Sequence, residues 1–501
     1  MWALSIAKPS LSRRASGVLL HPTSLPGARG GTLGAEALAF VDFLADCGQS
    51  WWQMLPVCPP DEIGSPYASP SSFAGSPALI DTDILAVEGF LKKAELGQAK
   101  PKALRAAFAH FGRCGSREDK DDFEAFRASE SWWLADHALF MALKDANHGR
   151  PWTQWDERLR RREPARLAEA RANVPEELRY HEFAQWLFAR QWRAVRRHAA
   201  ARGVALMGDA PIYVRHDSAD CWANQELFFL DEGGAPTAVA GVPPDYFSAD
   251  GQLWGNPLYR WERHKETGFA WWVSRLKACA ERFDALRLDH FIGFRNYWEI
   301  PAGEKTAIKG RWVTAPGDEL FETLRREVPA LEIVAEDLGV ATPAVISLRD
   351  KFAFPGMRLA QFSFGGEEKD WPSSWPEDCV GYTGTHDNDT TRGWWEDDGS
   401  ANAQRSAAQA EKERRAFRRA LGREPELPSW DMLSLVWRSP ARTAIVPMPD
   451  LLNCGGEARM NRPGTATDNW RWRMDPGQLT ARLAGRLALL TGACGRAPEL
   501  E

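Results

Sequence analysis

No apolar run in this sequence approaches the roughly 20 residues that a membrane-spanning helix needs. The first stretch, MWALSIAKPSLSRRASG, has no adequate apolar segment followed by a cleavage site, so no signal peptide is expected. No C-x-x-C pair occurs. The eight cysteines (Cys47, Cys58, Cys114, Cys221, Cys279, Cys379, Cys454 and Cys494) are far apart. That spacing argues against a zinc site or a disulfide framework and for reduced thiols in the cytoplasm. There is no H-x-x-H, H-E-x-x-H or EF-hand spacing, no Walker A loop and no G-x-S-x-G. A basic surplus is also missing. The net charge of −6 argues against nucleic acid or an anionic membrane as the main partner. Tyrosine is scarce, 7 residues against 24 tryptophans. Tryptophan offers a broad apolar face with a polar handle, and sugars present C–H faces to such rings, so carbohydrate becomes an early candidate ligand beside ordinary core packing.

What is present is a 501-residue chain with 44% apolar and 26% charged residues, the balance of a soluble globular enzyme. Eight short apolar runs recur, several ending in polar residues: 16–27, 50–60, 203–214, 284–294, 331–340, 356–364, 378–389 and 442–452. Charged, helix-like segments follow them. The expected fold class is therefore α/β, a (β/α)8 TIM barrel with helical and loop insertions, forming one catalytic unit over 1–501. The longest insertion, 85–195, reads as a mainly helical subdomain. Within it, 121–149 predicts a helix with Phe126, Trp133, Phe140 and Leu143 on one stripe, and 177–203 a second helix ending at Gly203. The charge run DERLRRREPARLAEARANVPEE reads as a solvated helical face, and 401–430 as an outer helix. A further insertion, 231–261, reads as a loop. No low-complexity linker or short-period repeat appears.

The stretch ALRLDHFIGF (285–294) begins as a buried strand and then places Arg287, Asp289 and His290 within four positions. Unpaired charge is costly to bury, so a strand end of this kind needs a reason. In a barrel, reactive groups sit at the C-terminal ends of strands. The acids at such ends are Asp209 in MGDAP, Asp289, Glu336 in VAEDLG and Asp387 in GTHDND. Glu336 and Asp387 are 51 residues apart. A barrel averages about 31 residues per unit, which is consistent with strands five and seven. The extra length between Asp289 and Glu336 lies in 301–319, and that between Asp209 and Asp289 in 231–261.

Glycoside cleavage uses two carboxyl groups, one ionised and one protonated. Arg287, two residues before Asp289 on the same strand face, is expected to hold it ionised as a nucleophile requires. Glu336 adjoins Asp337. A like charge and partial burial would raise its pKa, as suits a general acid. His386 beside Asp387 suits gripping sugar hydroxyls. Other readings of single acids are helix caps and salt bridges, and HDND and DH have a metal-ligand look without metal-site spacing.

Taken together, LRLDHFIGFRNYWEIPAG, AEDLG and YTGTHDNDTTRGWW resemble the amylomaltases, the 4-α-glucanotransferase or disproportionating enzymes related to the α-amylases. The resemblance starts at SGVLLHPTSLPG, runs through GSPYASPSSFAGSPALI, MGDAPIYVRHDSADCWA and GVPPDYFSADGQLWGNPLYRW, and ends at RMNRPGTATDNWRWRM. It implies Asp289 as the nucleophile, Glu336 as the acid/base and Asp387 as a third acid on the 2- and 3-hydroxyls of the sugar at the cleavage point. It implies Arg287 as the residue positioning the nucleophile, with His290, His386 and Asp209 around that sugar and Tyr67 as a platform beneath it. Asp245, Tyr246 and Trp254 would lie in an acceptor-side loop, and Asn461 on the donor side. One departure is Ile292, where the family often has arginine; no proposed catalytic residue is affected.

The resemblance also implies a substrate class: α-1,4-glucans such as maltose, maltotriose, longer maltodextrins and amylose. It implies no cofactor and no metal, no nucleic-acid or membrane partner, and a cytoplasmic monomer or weak homodimer. Transfer rather than hydrolysis depends on excluding water and orienting the acceptor. The 241–260 loop has suitable content, with Pro243 and Pro244 for stiffness and Tyr246, Phe247 and Trp254 as stacking faces. The rival readings are an amylase-type hydrolase, a non-catalytic α-glucan-binding protein and a phosphate-binding barrel. The last is disfavoured by the lack of a Gly-rich loop near strands seven and eight.

Overall fold

A computed structural model describes residues 9–27, 30–244, 250–339, 341–399, 405–465 and 467–498. Among these residues the strands in chain order are β1 (Ala15–Leu19), β2 (Trp51–Gln53), β3 (Ala205–Ala210), β4 (Ala238–Val242), β5 (Gln252–Pro257) and β6 (Ala285–Leu288), followed by β7 (Asn296–Pro301), β8 (Arg311–Thr314), β9 (Glu332–Ala335), β10 (Gly356–Leu359), β11 (Cys379–Tyr382) and β12 (Thr443–Pro447). Eight of them close a parallel barrel in the order β1-β12-β11-β10-β9-β6-β3-β2. These eight strands are the eight apolar runs of the sequence. Parallel barrel strands are covered on both faces, so they read as continuous apolar runs rather than alternating ones.

The alternation is nevertheless there. Trp51, Ala205, Met207, Ala285, Val334, Met357, Val380, Tyr382 and Ile445 form a core inside the barrel, separate from the larger core between barrel and helices. Gly17 lies in that interior, and a side chain there would strike Trp51 and Ile445. The inward parity of β3 (205, 207, 209), β6 (285, 287, 289) and β9 (334, 336) carries Asp209, Arg287, Asp289 and Glu336 to the C-terminal mouth.

Between β2 and β3 the chain is mostly helical. The helix expected over 121–149 is two, Arg117–Ser129 and Ser131–Ala146. Glu130 breaks the run, and its carboxylate accepts a hydrogen bond from the Trp133 indole at 2.6 Å. Phe123 is the buried residue of the first helix, and Phe126 is only half-buried. Helix Pro175–Ala201 starts on proline and stops before Gly203, whose φ of 72° suits a residue without a side chain. Two of its glutamines bond both polar groups of a backbone residue in the segment after β2: Gln185 with Gly75, and Gln191 with Asp81. That segment carries Tyr67.

The stretch 231–261, expected as a loop, contributes two strands. β4 and β5 pair with β7 and β8 in an antiparallel sheet of order β5-β4-β7-β8. The sheet stands over the barrel mouth, because its hairpins leave the C-terminal ends of β3 and β6. Most tryptophans are packing residues: 15 of the 24 are buried, and Trp51, Trp52, Trp152, Trp186, Trp222, Trp272 and Trp437 fully so. No helix among the described residues is long and apolar enough to cross a membrane. The eight cysteines are all free thiols.

Candidate active site

The barrel register builds the centre of the site. Asp209 on β3 is the cross-strand partner of Arg287 on β6, and Leu288 of Ala335 on β9. One step further along each strand, Asp289 and Glu336 are neighbours at the mouth. Arg287 bridges two acids, reaching Asp209 at 2.7 Å and Asp289 at 2.8 Å. Arg287 and Asp209 are buried, whereas the Asp289 side chain is 28% exposed. Charge-assisted bonds of this length are strong and directional, so the guanidinium fixes both carboxylates.

Glu336 is held differently. Its Oε2 accepts the backbone N–H of His290 at 2.7 Å, and its Oε1 the N–H of Leu338 at 3.1 Å. Burial pushes its pKa up to about 8; the Asp289 charge adds to the rise, and Arg287 with the two N–H bonds opposes it. The sequence pointed to Asp337 as the repelling neighbour, but the structure assigns that part to Asp289. Asp337 turns away into an ion pair with Arg349 and accepts the N–H of Met357.

Around this pair the expected residues form one connected surface. The Tyr67 hydroxyl donates to Asp209 at 2.8 Å. Burial and the Asp209 charge push the phenol well above its ordinary pKa, so it stays a donor. Burial also raises the Asp209 carboxyl, outweighing Arg287. Tyr67 stacks on His386, with centroids 5.3 Å apart and rings 13° from parallel. His386 lies 3.3 Å from Asp387, and the Asn461 amide donates to Asp387 Oδ1 at 2.6 Å. His290 adopts a left-handed conformation, φ 50°, and burial lowers its pKa to about 4, leaving a neutral ring at pH 7. Trp254 meets His290 edge-on at 4.8 Å. Asp245 and Tyr246 lie outside the described residues.

Four contributors were not singled out from the sequence. Trp470 packs against both Tyr67 and His386. Arg459 donates to the backbone oxygens of Asp387 and Asn461. Both residues stand in RMNRPGTATDNWRWRM, where long polar runs hid them. Asp450 accepts bonds from Thr383 and Thr391, at the two ends of the loop that carries His386 and Asp387. Tyr213 backs Trp254.

Three polar atoms at this centre, Asp209 Oδ1, Arg287 Nε and His290 Nε2, are buried with no hydrogen-bond partner among the described residues. Orphaned polar groups are costly unless a polar ligand satisfies them. A proton-holding carboxyl beside an ion-paired carboxylate, ringed by aromatic faces and hydroxyl-binding groups, is equipment for cutting and making glycosidic bonds.

A family model described as 4-alpha-glucanotransferase matches residues 20–480. The chain belongs to that family. It is 46% identical to the 4-alpha-glucanotransferase of Thermus thermophilus, a match covering 96% of this chain and 99% of the relative. It is 41% identical to a chloroplastic/amyloplastic 4-alpha-glucanotransferase of Arabidopsis thaliana, over 92% and 82%. Its backbone is similar to the amylomaltase of Streptococcus agalactiae solved with acarbose, with a TM-score of 0.90 and 37% identity over 97% and 100% of the two chains. Corynebacterium glutamicum amylomaltase, 19% identical with a TM-score of 0.77 over 96% and 75%, shares the fold. Among 4-alpha-glucanotransferases this chain is thus matched along nearly its whole length, and all four acids at the mouth fall inside the matched region.

Proposed function

We propose that this chain moves α-1,4-glucan segments to the 4-hydroxyl of glucose or of another maltodextrin by a retaining double displacement. The observation that carries the reading is the pairing at the mouth: Asp289 ion-paired to Arg287, and Glu336 holding its proton at neutral pH one strand away.

In the first step Glu336 gives its proton to the glycosidic oxygen while an Asp289 oxygen attacks the anomeric carbon. The C–O bond breaks, the reducing-end fragment leaves with the proton, and a glucosyl ester forms on Asp289. In the second step the ionised Glu336 takes the proton of an incoming 4-hydroxyl, whose oxygen displaces Asp289. The acid is regenerated and a new α-1,4 bond is made. A retaining geometry requires the two carboxyl groups about 5 Å apart. Asp387, oriented by Asn461 and His386, binds hydroxyls of the sugar at the cleavage point, and Tyr67 supports its ring. Arg287 positions Asp289, and Asp209 anchors Arg287. His290 contacts that same sugar, and Trp254, edge-on to His290, lines the acceptor side. Residues 231–261 serve as the acceptor-side segment that favours a sugar hydroxyl over water. The chain works on maltotriose, longer maltodextrins and amylose, in the cytoplasm, without an organic cofactor.

Incubation with maltotriose followed by chromatography tests the reading. Glucose with a ladder of longer maltodextrins is expected. Glucose and maltose alone would mark a hydrolase, and unchanged maltotriose a non-catalytic binder.

A further inference from the structure

The antiparallel sheet over the mouth has a second aromatic feature on the strand furthest from the cleft. In the β7–β8 ladder, Trp298 pairs with Trp312 and Asn296 with Thr314. Residues paired across strands, and residues two apart along one, share a face, so these four side chains lie together. Trp298 is fixed: its indole donates to the Ala307 carbonyl at 2.8 Å, and Gly310 lies against the ring, where a side chain would strike it. Trp312 rests against Trp298 at 5.2 Å with the rings 69° apart, and remains 52% exposed. Thr314 donates to Asn296 Oδ1 at 3.4 Å, while Asn296 Nδ2 has no partner among the described residues. A braced, exposed indole beside an uncommitted amide and a hydroxyl is the combination that grips a pyranose, its C–H face on the ring and its hydroxyls on the polar groups.

The position fits a chain rather than a single sugar. β5, at the opposite edge of the same sheet, carries Trp254 against His290 in the cleft. β8 lies three inter-strand spacings away, about 14 Å. The sheet therefore has one edge in the site and the other on the open surface beside it. The loop before β8 also braces the β4–β5 hairpin, because Ala307 N–H donates to the Asp250 carbonyl at 2.9 Å.

We propose that Trp312, with Asn296 and Thr314, forms a second α-glucan-binding site that holds a long chain outside the cleft. The proposal rests on the glucanotransferase reading. It concerns long substrates only, since maltotriose is too short to occupy the cleft and β8 together.

The test compares wild type with Trp312→Ala and Asn296→Ala. Retardation in native gels containing amylopectin gives binding, and initial rates on maltotriose and on amylose with glucose as acceptor give activity. The expected result for Trp312→Ala is a loss of gel retardation and a rise in KM for amylose, each about threefold to tenfold, the worth of one aromatic contact. Asn296→Ala shifts both in the same direction by less. The kcat and KM for maltotriose stay at wild-type values. Wild-type retardation and amylose kinetics in Trp312→Ala would overturn the second site. So would an equal rise in KM for maltotriose and amylose, which would place the residue's effect inside the cleft. A wild type that makes nothing from maltotriose would instead overturn the functional reading itself.

Discussion

The backbone N–H of His290, the residue directly after Asp289, donates to Oε2 of Glu336 at 2.7 Å. One residue thereby ties the two carboxyl groups together. The left-handed turn at His290 ends the run that presents Asp289 and at the same point aims its own N–H at the neighbouring strand's acid. Non-glycine residues rarely hold that conformation without surroundings that impose it. Here Glu336 accepts the N–H, and the Phe291 N–H is taken by the Glu336 carbonyl at 2.9 Å.

The pH profile follows from the Glu336 environment. Burial lifts this carboxyl from its ordinary value of 4.5 to about 8. The protonated acid is present below that pH and is lost as pH rises through it. The basic limb of kcat/KM, which reports the free enzyme, is expected near pH 8. A limb below pH 6 would contradict the assignment. Stability shares the sign. A carboxyl whose pKa is raised on folding contributes stability below about pH 4.5 that is lost as pH climbs toward 8. Glu336→Gln should therefore melt higher than wild type at pH 8 to 9 and gain nothing at pH 4.

Arg287 is ion-paired to two acids at once, the buried Asp209 and the half-buried Asp289. Arg287→Met keeps most of the volume and removes the charge, leaving Asp209 buried without its cation. Breaking a buried pair from one side costs about 3 to 5 kcal/mol. The expected outcome is a lower denaturant midpoint together with loss of transfer. Arg287→Lys should recover part of the stability but less of the activity, since one ammonium does not span both acids as the guanidinium does.

On the proposed reading, Trp254 separates transfer from hydrolysis. It is 37% exposed and held edge-on to His290, so its removal opens the acceptor side to water without emptying a core. Trp254→Ala should raise the ratio of hydrolysis to transfer on maltotriose, read by comparing reducing ends formed with longer products formed. An unchanged ratio would count against an acceptor role.

The barrel was legible in the sequence because buried parallel strands are apolar on both faces; all eight runs are strands. The insertion sheet was not. The first four residues of β5 are exposed, and β8 is exposed or half-exposed throughout, so neither carries an apolar signal, and 231–261 read as a loop. Spacing placed Asp289, Glu336 and Asp387 at strand ends, but it does not contain cross-strand register. The repelling neighbour of Glu336 was therefore sought at Asp337, next in sequence, rather than at Asp289, next in space. The same holds for Asn461 and Asp387, joined by a 2.6 Å bond across 74 residues, and for the Asp450 clamp on Thr383 and Thr391. The helix over 121–149 was expected whole because periodicity carries through a single-residue break such as Glu130.

The most direct test of the central claim is to trap the intermediate. Glu336→Gln lacks the acid proposed to serve natural glucans, whereas α-glucosyl fluoride brings a leaving group that departs without protonation. Mass spectrometry of the quenched and digested protein should find a glucosyl ester on the peptide containing Asp289, absent from an Asp289→Asn, Glu336→Gln double variant. An ester on another carboxylate, or consumption of the fluoride with no adduct at Asp289, would contradict the account.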